Sequence, residues 1–253
     1  MRRENQSFAG VRLTRRESLS RLMGCLMAVP LTSLFPIKGA RAAAVGQKPL
    51  KEGLMTLPEP QKKGMVSLEK TITDRRTIRS FSSQPLTLKQ WSQLLWAAQG
   101  ITGKGGRKRS APSAGALYPM DLYALLGKGG VEGCKQGIYH YVPARHEALL
   151  IGREDLRKAV ARAALSQMWI AQAPLVLVIT AEYERVAVKY GKRGIRYAMI
   201  EAGHIGQNIF LQAGALDLAA GIVGAFDDDA ITRVMKTPLS HEPLLIMPVG
   251  YKA

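Results

Sequence analysis

The stretch TDRRTIRSF, Thr73–Phe81, places three arginines within five residues. If the stretch is helical, Arg75 and Arg79 are four residues apart and lie on the same face. Their two guanidinium groups, with the hydroxyl of Thr77 between them in the sequence, form a receptor suited to a phosphate. The alternative is a solvated basic helix end, because short arginine clusters are common. The stretch by itself leaves both interpretations open.

The segments around this stretch predict a mixture of helices and strands. Thr87 and Gln90 form a capping-box pattern for a helix that Gly100 ends, and Ser113 is a candidate cap for a short helix. The apolar run Pro174–Thr180 is typical of a central strand. Further helices are predicted over Ser67–Arg76, Arg153–Gln172, Arg196–Leu216 and Asp227–Lys236, and further strands over Asp121–Leu126, Gly137–Val142, Ala148–Ile151, Ala220–Phe226 and Leu244–Gly250.

The N-terminus has the pattern of an export signal. A twin-arginine motif at Thr14–Leu19 precedes the apolar run Leu22–Phe35, and Ala40-Arg41-Ala42 supplies small residues for a signal peptidase. The apolar run is too short for a membrane-spanning helix. We therefore expect a twin-arginine signal over residues 1–42, a linker over 43–66 and one domain over 67–253. Twin-arginine export implies the twin-arginine translocase as a partner and a periplasmic or other extracytoplasmic location.

The chain is strongly basic, with a formal net charge of +17. Without residues 1–42 it still has 28 Lys and Arg against 17 Asp and Glu, which favours anionic ligands. No helix-turn-helix, zinc-finger or single-strand-binding signature supports nucleic acid as a partner. The two cysteines are Cys25 and Cys134, and removal of the signal leaves no pair for an internal disulfide.

Seven motifs in this order resemble the SagB-type branch of the nitroreductase family, which includes thiazole- and oxazole-forming oxidases. The resemblance runs from about Ser67 to Gly250. The motifs are RRTIRSF, APSAGALYP, GIYHYVPARH, KYGKRGIRY, EAGHIGQNIFLQA, GAFDDDAI and PLLIMPVG. The resemblance implies an α+β fold with a mainly antiparallel sheet flanked by helices, a homodimer, and FMN bound at the dimer interface.

The resemblance also implies which residues bind FMN. Arg75, Arg76 and Thr77 match the stretch around the phosphate and ribityl chain, and Arg79 matches the position facing the pyrimidine edge of the ring. An alternative role for Arg79 is phosphate binding alone. The other matching positions are Pro112, Ser113, Ala114 and Gly115 in the loop against the ring, Gly221, Ile222, Val223 and Gly224 in a second stretch, Gln207 and Asn208 on the long helix, and Lys252 near the C-terminus. Asp217 stands where such sequences more often have glycine.

Lys189 and Tyr190 are the candidate catalytic residues. In azoline-oxidising relatives a Lys-Tyr pair is implicated in removing a substrate proton, and a tyrosine beside a lysine acts through a lowered pKa. The alternative is a surface helix turn, because the sequence KYG also suits a helix about to end. Glu201 and His204 have a spacing seen in di-iron bundles, but no second Glu-x-x-His occurs, and we predict no metal.

The sequence therefore predicts an exported FMN-dependent oxidoreductase that transfers hydride to or from a small flat or peptide-like substrate. An azoline peptide dehydrogenase is the alternative within the enzyme class. A flavin-binding electron carrier and a basic surface-binding protein without FMN are the alternatives outside it. A redox protein, a quinol or the organic substrate itself is the expected donor, because NAD(P)H is scarce outside the cytoplasm.

Overall fold

The computed structural model describes residues 53–253, which form an α+β fold around one seven-stranded antiparallel sheet. The strands lie in the order β1-β4-β3-β2-β5-β7-β6. Their bounds are β1 Leu54–Thr56, β2 Met120–Leu126, β3 Gly137–Val142, β4 Glu147–Gly152, β5 Leu175–Ala181, β6 Ala219–Ala220 and β7 Glu242–Gly250. The predicted fold class is confirmed.

Six α-helices and two short 3-10 helices are found in this part of the chain. The α-helices are α1 Leu68–Asp74, α2 Leu88–Gln99, α3 Arg157–Ala163, α4 Glu184–Tyr190, α5 Arg193–Ala215 and α6 Asp228–Met235. The 3-10 helices span Ala114–Ala116 and Met168–Gln172. None of the helices within residues 53–253 has both the length and the apolar character needed to cross a membrane.

Strand β5 is the centre of the core, as its apolar sequence predicted. It pairs with β2 on one side and β7 on the other, and all seven of its residues are buried. Leu175, Leu177 and Ile179 pack into the core beneath α2 and α5, whereas Val176 and Val178 pack beneath α3 and α6. Because successive side chains of a strand point to opposite faces, a strand covered on both faces is apolar throughout.

The cap of helix α2 forms as the sequence predicted. The backbone N–H of Gln90 donates to Thr87 Oγ1 at 3.2 Å, and the backbone N–H of Thr87 donates to Gln90 Oε1 at 2.9 Å. The helix ends at Gly100. The segment after α5 explains Asp217, which adopts φ +58°, a conformation that glycine takes with less strain.

The predicted linker differs from the structure in its second half. Leu54–Thr56 forms β1 and pairs with β4, and the hydroxyl of Ser92 donates to the carbonyl of Pro58 at 2.6 Å. This strand is three residues long, too short to show periodicity, and its partner lies about ninety residues away in the sequence. The domain therefore extends to residues before 67. The predicted export signal lies outside the described residues.

Two other predicted elements are shorter than expected. The region Arg153–Gln172 divides into α3 and a 3-10 helix, because Leu165 and Ser166 both adopt positive φ angles of 53° and 57°. The predicted strand Ala220–Phe226 is limited to Ala219–Ala220, followed by an isolated bridge from Val223 to Ile246.

Candidate functional site

A cavity of about 640 Å³ lies between the end of α1, the end of α5 and the C-terminal segment. Its size is within the usual range for ligand pockets, about 300–1,000 Å³. The backbone that leads into β6 lines it, together with the basic residues Arg75, Arg76, Lys252 and Lys70 and the acidic residues Asp74 and Asp217. We call it the arginine cavity. It brings Lys252, near the C-terminus, together with Arg75 and Arg76 of Thr73–Phe81, which we call the arginine stretch.

The basic side chains of the arginine cavity differ in their partners. Lys70 forms an ion pair with Asp74 at 2.5 Å. Within residues 53–253, Arg75, Arg76 and Lys252 have no carboxylate partner within 4 Å. The guanidinium of Arg75 lies 5.2 Å from the ring centre of Phe210, which holds it against α5. Arg76 Nη1 already donates to the carbonyl oxygens of Thr73 and Arg75, at 2.9 and 2.8 Å, so Arg76 offers an anion its charge and its remaining N–H groups.

The backbone of the arginine stretch is not helical where the sequence predicted it. Helix α1 ends at Asp74, and Thr77 instead forms a parallel bridge with Ala220. The N–H of Ile78 donates to the carbonyl of Ala220 at 2.9 Å. Arg75 and Arg79 therefore do not share a helix face. The reason is tertiary: the edge of the sheet offers these residues backbone partners that the local sequence does not reveal.

Lys252 reaches the arginine cavity through backbone pairing. It forms an antiparallel bridge with Phe81, and the N–H of Ser82 donates to the carbonyl of Tyr251 at 2.9 Å. The C-terminal segment is thereby fixed beside the arginine stretch, although about 170 residues separate the two in sequence.

Arg79 lies apart from the cavity and contacts an aromatic side chain. Its guanidinium is 5.8 Å from the ring centre of Trp169, and that ring stacks on Phe81 at 6.5 Å. Trp169 also packs against Gly221, where an added Cβ would lie 2.7 Å from the indole and 2.8 Å from the carbonyl oxygen of Ile78. Glycine is thus required at position 221 by close packing.

The rest of the second predicted FMN stretch follows the edge of the sheet. The N–H of Gly221 donates to the carbonyl of Pro248 at 2.9 Å, and Val223 exchanges two backbone hydrogen bonds with Ile246. Ile222 is half-buried, and a Cβ at Gly224 would meet nothing within 4 Å. The two glycines of this stretch therefore differ: one is packed and the other is open.

The loop predicted to pack against the ring surrounds the 3-10 helix Ala114–Ala116. Ser113 does not cap it; its Oγ accepts a hydrogen bond from the N–H of Tyr118 at 2.9 Å. The cap is absent because Gly115, with φ +62°, interrupts this single turn. Pro112 and Gly115 are exposed and Ala114 is half-buried.

The candidate catalytic pair meets this loop at Gly115. A Cβ built on Gly115 would lie 2.9 Å from Tyr190 Oη and 3.2 Å from Lys189 Nζ. Lys189 Nζ is 5.4 Å from the Tyr190 ring centre, and Tyr190 makes a perpendicular contact with Tyr197 at 5.1 Å. The lysine and the phenol thus meet at one exposed point of the loop, which a surface helix turn does not require.

Glu201, which the sequence suggested only as part of a Glu-x-x-His spacing, is a buried carboxyl group beside the same loop. Glu201 is 2% exposed, its carboxylate accepts a hydrogen bond from Gln99 Nε2 at 3.1 Å, and the neighbouring Ser113 hydroxyl lowers its pKa. Gln99 in turn accepts from Arg109 Nη1 at 3.0 Å. Burial raises the pKa of Glu201, and the hydrogen bonds and the charge of Arg109 offset part of that rise. An acidic residue within a largely apolar helix is the signal for this anchor.

We expect Glu201→Gln to change how stability depends on pH. The pKa of Glu201 in the folded protein lies above its ordinary value of 4.5, so ionisation destabilises the folded state as pH rises above that value. The neutral amide avoids this loss. The free energy of unfolding of the variant relative to wild type should therefore increase between pH 4 and pH 7 in urea titrations.

The exposed Glu132 provides the control for this substitution, because Glu132→Gln removes a carboxylate from the surface. Its pH dependence of unfolding should follow that of wild type. If Glu201→Gln also follows wild type, the burial of Glu201 has no effect on its ionisation.

Gln207 and Asn208, the two residues of α5 predicted to bind FMN, lie outside the arginine cavity. Gln207 is exposed on α5, and Asn208 Nδ2 donates to the carbonyl of Ala97 at 3.0 Å, which joins α5 to α2. Neither residue lines the arginine cavity.

One group of side chains has the composition of a metal site. Oxygen atoms of Asp121 and Glu182 and a nitrogen of His241 lie within 4.8 Å of one another. Arg185 occupies the space between the carboxylates, with Nη1 2.8 Å from Asp121 Oδ2 and Nη2 2.5 Å from Glu182 Oε2. The guanidinium already supplies the cation, so we interpret the group as an ion-pair network. His204, of the predicted Glu-x-x-His pair, is exposed on α5.

Comparisons with known proteins agree on one family. Residues 72–251 match the nitroreductase family. A Methanocaldococcus jannaschii protein assigned to the nitroreductases is 44% identical over 187 residues, which cover 74% of this chain and 92% of that protein. The microcin B17-processing protein McbC of Escherichia coli is 26% identical over 155 residues, which cover 59% of this chain and 56% of McbC. A crystal structure from Ralstonia eutropha, also assigned to the nitroreductases, superposes with a TM-score of 0.70 and 31% identity, covering 87% of this chain and 98% of that one.

Proposed function

Because the chain belongs to the nitroreductase family, a family of oxidoreductases, we propose that it is an exported FMN-dependent oxidoreductase of the SagB-type branch. The observation that carries the proposal is the arginine cavity. Arg75, Arg76 and Lys252 converge on it without carboxylate partners, and its volume suits a ligand with a phosphate at one end. The donor set therefore fits FMN.

In this proposal the chain holds FMN by its two ends. Arg75, Arg76 and Lys252 would bind the phosphate, and Thr77 would contact the ribityl chain. The residues that would hold the ring are Pro112, Ser113, Ala114 and Gly115 of the loop, Gly221, Ile222, Val223 and Gly224 of the second stretch, and Gln207 and Asn208 of α5. When bound, FMN supplies a hydride donor or acceptor at its N5 atom. A cation at Arg79 stabilises negative charge that develops on the ring.

Lys189 and Tyr190 are proposed to move the substrate proton. Both side chains reach the exposed side of Gly115. A substrate bound against the loop Pro112–Gly115, which we call the ring-side loop, would meet them there. The Tyr190 hydroxyl and the Lys189 amino group, side by side at this point, form the route by which the substrate proton leaves. Glu201 acts indirectly, because it holds Ser113 and thus the loop.

A homodimer is part of the proposal. Helices α1 and α5 pack together and leave four large apolar side chains between about half and three-fifths exposed: Leu68 59%, Ile72 53%, Met199 52% and Ile200 49%. Apolar faces of this kind favour association with a second copy. The residues around Gly115, namely Lys189 and Tyr190, do not line the arginine cavity. We call their meeting point the Gly115 contact, and in this proposal a second copy of the chain completes the ring site between the two places.

The similarity to McbC favours a second candidate, the oxidation of azoline rings in a peptide. The proposed export argues against it, because such peptides are usually modified in the cytoplasm. A redox protein or a quinol remains the proposed electron donor. The export step is tested by fractionating cells that express the Arg15→Lys/Arg16→Lys variant, which should stay in the cytoplasm. An electron carrier without substrate turnover is the remaining alternative.

The decisive experiment is to purify the mature protein and record its visible spectrum. FMN absorbance, with the flavin released by heat and identified by mass, is the expected result. The protein is then reduced anaerobically and mixed with a quinone, a nitroaromatic compound or an azoline peptide. Rapid reoxidation by one class identifies the substrate type, and a colourless protein that FMN does not reconstitute overturns the proposal.

We expect Lys189→Ala to lower turnover of a substrate that must lose a proton by about a hundredfold or more, the usual contribution of general acid–base groups. FMN occupancy should stay at the wild-type level, because Lys189 does not line the arginine cavity. Steady-state rates and flavin content of the same preparations measure both. Lys158→Ala, on the exposed side of α3, is the matched control. Unchanged turnover in Lys189→Ala would remove the residue from the mechanism.

A further inference from the structure

Two basic segments meet at the Gly115 contact. Residues 102–119 contain four Lys and Arg, residues 187–200 contain four more, and neither segment has an Asp or a Glu. The first segment includes the ring-side loop, and the second includes Lys189 and Tyr190. The hydroxyl of Tyr118 donates to the carbonyl of Arg107 at 2.9 Å and accepts from the N–H of Arg109 at 3.1 Å, which attaches the basic loop to the ring-side loop.

Seven of these eight cations are exposed and have no carboxylate within 4 Å in the described part of the chain. They are Lys104, Arg107, Lys108, Lys189, Lys192, Arg193 and Arg196. Arg185, on the same helix as Lys189, is paired with Asp121 and Glu182. The carboxylates close in sequence do not neutralise the group: Glu184 lies at the other end of α4, and Glu201 is buried against Gln99 and Ser113.

The surface beside these cations is aromatic and apolar. The guanidinium of Arg193 lies 5.9 Å from the ring centre of Tyr197, which contacts Tyr190. Val188 is 84% exposed next to Lys189. Positive charge and exposed apolar surface therefore occur together. This combination suits a planar organic molecule that carries an anionic group.

We propose that the site takes a small organic substrate with a carboxylate, phosphate or sulfonate group, and that Lys192 and Arg193 hold this group. The inference rests on the proposed function, because it names the substrate class of the same site. Unpaired cations raise the local concentration of an anion and so its rate of association. They also fix its orientation, with the flat part directed to Gly115 and the candidate proton acceptor.

The test measures binding of naphthalene sulfonate to the oxidised, FMN-loaded protein by calorimetry, with naphthalene methanol as the neutral probe. FMN fills the arginine cavity, so that cavity does not compete for the anion. Lys192→Glu/Arg193→Glu should weaken sulfonate binding about tenfold or more at low salt, whereas neutral binding should change much less. Lys158→Glu is the control, because this exposed lysine lies on α3, over the opposite face of the sheet. About 0.5 M salt should remove most of the preference.

Equal binding of the two probes at low salt, or a preference that survives the double substitution, overturns the inference. Binding of the protein to anionic lipid vesicles that naphthalene sulfonate does not displace also overturns it, because the patch is then a membrane surface. Reoxidation of the reduced protein by neutral naphthoquinone is recorded separately. That reaction decides the proposed oxidoreductase function and does not depend on the charge preference.

Discussion

Replacement of Arg75 by alanine is expected to raise the dissociation constant of FMN by about ten- to a hundredfold, the usual range for a hydrogen bond to a charged group. Arg75 lies in the arginine cavity, packs on Phe210 and has no carboxylate partner among the described residues. The loss should therefore appear in binding. Flavin fluorescence in a dilution series measures the dissociation constant, and circular dichroism verifies the fold.

Two further substitutions sharpen this prediction. Arg75→Lys keeps the charge but loses the forked guanidinium, so its FMN affinity should lie between those of wild type and the alanine variant. Arg233→Ala removes an exposed arginine from α6, away from the arginine cavity, and should bind FMN as wild type does. Full FMN occupancy of Arg75→Ala at dilute protein would exclude Arg75 as a phosphate ligand.

Gly221→Ala is expected to lower the free energy of unfolding by about 1–3 kcal/mol, the usual cost of overpacking. The new methyl group would lie 2.7 Å from the Trp169 indole and 2.8 Å from the carbonyl oxygen of Ile78. The indole can turn away, but the carbonyl belongs to backbone that is bound to the edge of the sheet. The displacement also moves Arg79, so FMN affinity should fall together with stability.

Gly224→Ala is the matched control, because it adds the same methyl group three residues away where nothing lies within 4 Å. Urea unfolding of this variant should agree with wild type to within about 0.5 kcal/mol. A Trp169→Leu background should reduce the cost of Gly221→Ala only in part, since the contact with Ile78 remains. Equal stability of the two glycine variants would show that position 221 tolerates a side chain.

Local signals predicted the elements whose stabilising groups are close in sequence. The Thr87 capping box, the end of α2 at Gly100 and the apolar β5 run were all confirmed. The cap and the end of α2 depend on residues close together in the sequence. Strand β5 is recognisable because burial of both of its faces requires an apolar sequence. Predictions were wrong where distant partners or backbone angles decide. Thr77 pairs with Ala220 where a helix was expected, β1 formed in the predicted linker, and positive φ angles at Leu165 and Ser166 divided the predicted helix Arg153–Gln172.

The sequence by itself determined the family, most of the helices and strands, and the types of side chain that the candidate site uses. Sequence motifs alone identify the arginine stretch, the loop Pro112–Gly115 and the Lys189–Tyr190 pair. The expected export signal over residues 1–42 is a prediction from the sequence alone. Tertiary structure decided which of these residues meet. It joined Arg75 to Lys252, Gly115 to Tyr190 and Ser113 to Glu201. These contacts depend on sheet order and helix packing, which bring together residues far apart in the chain, and no local pattern encodes such distances.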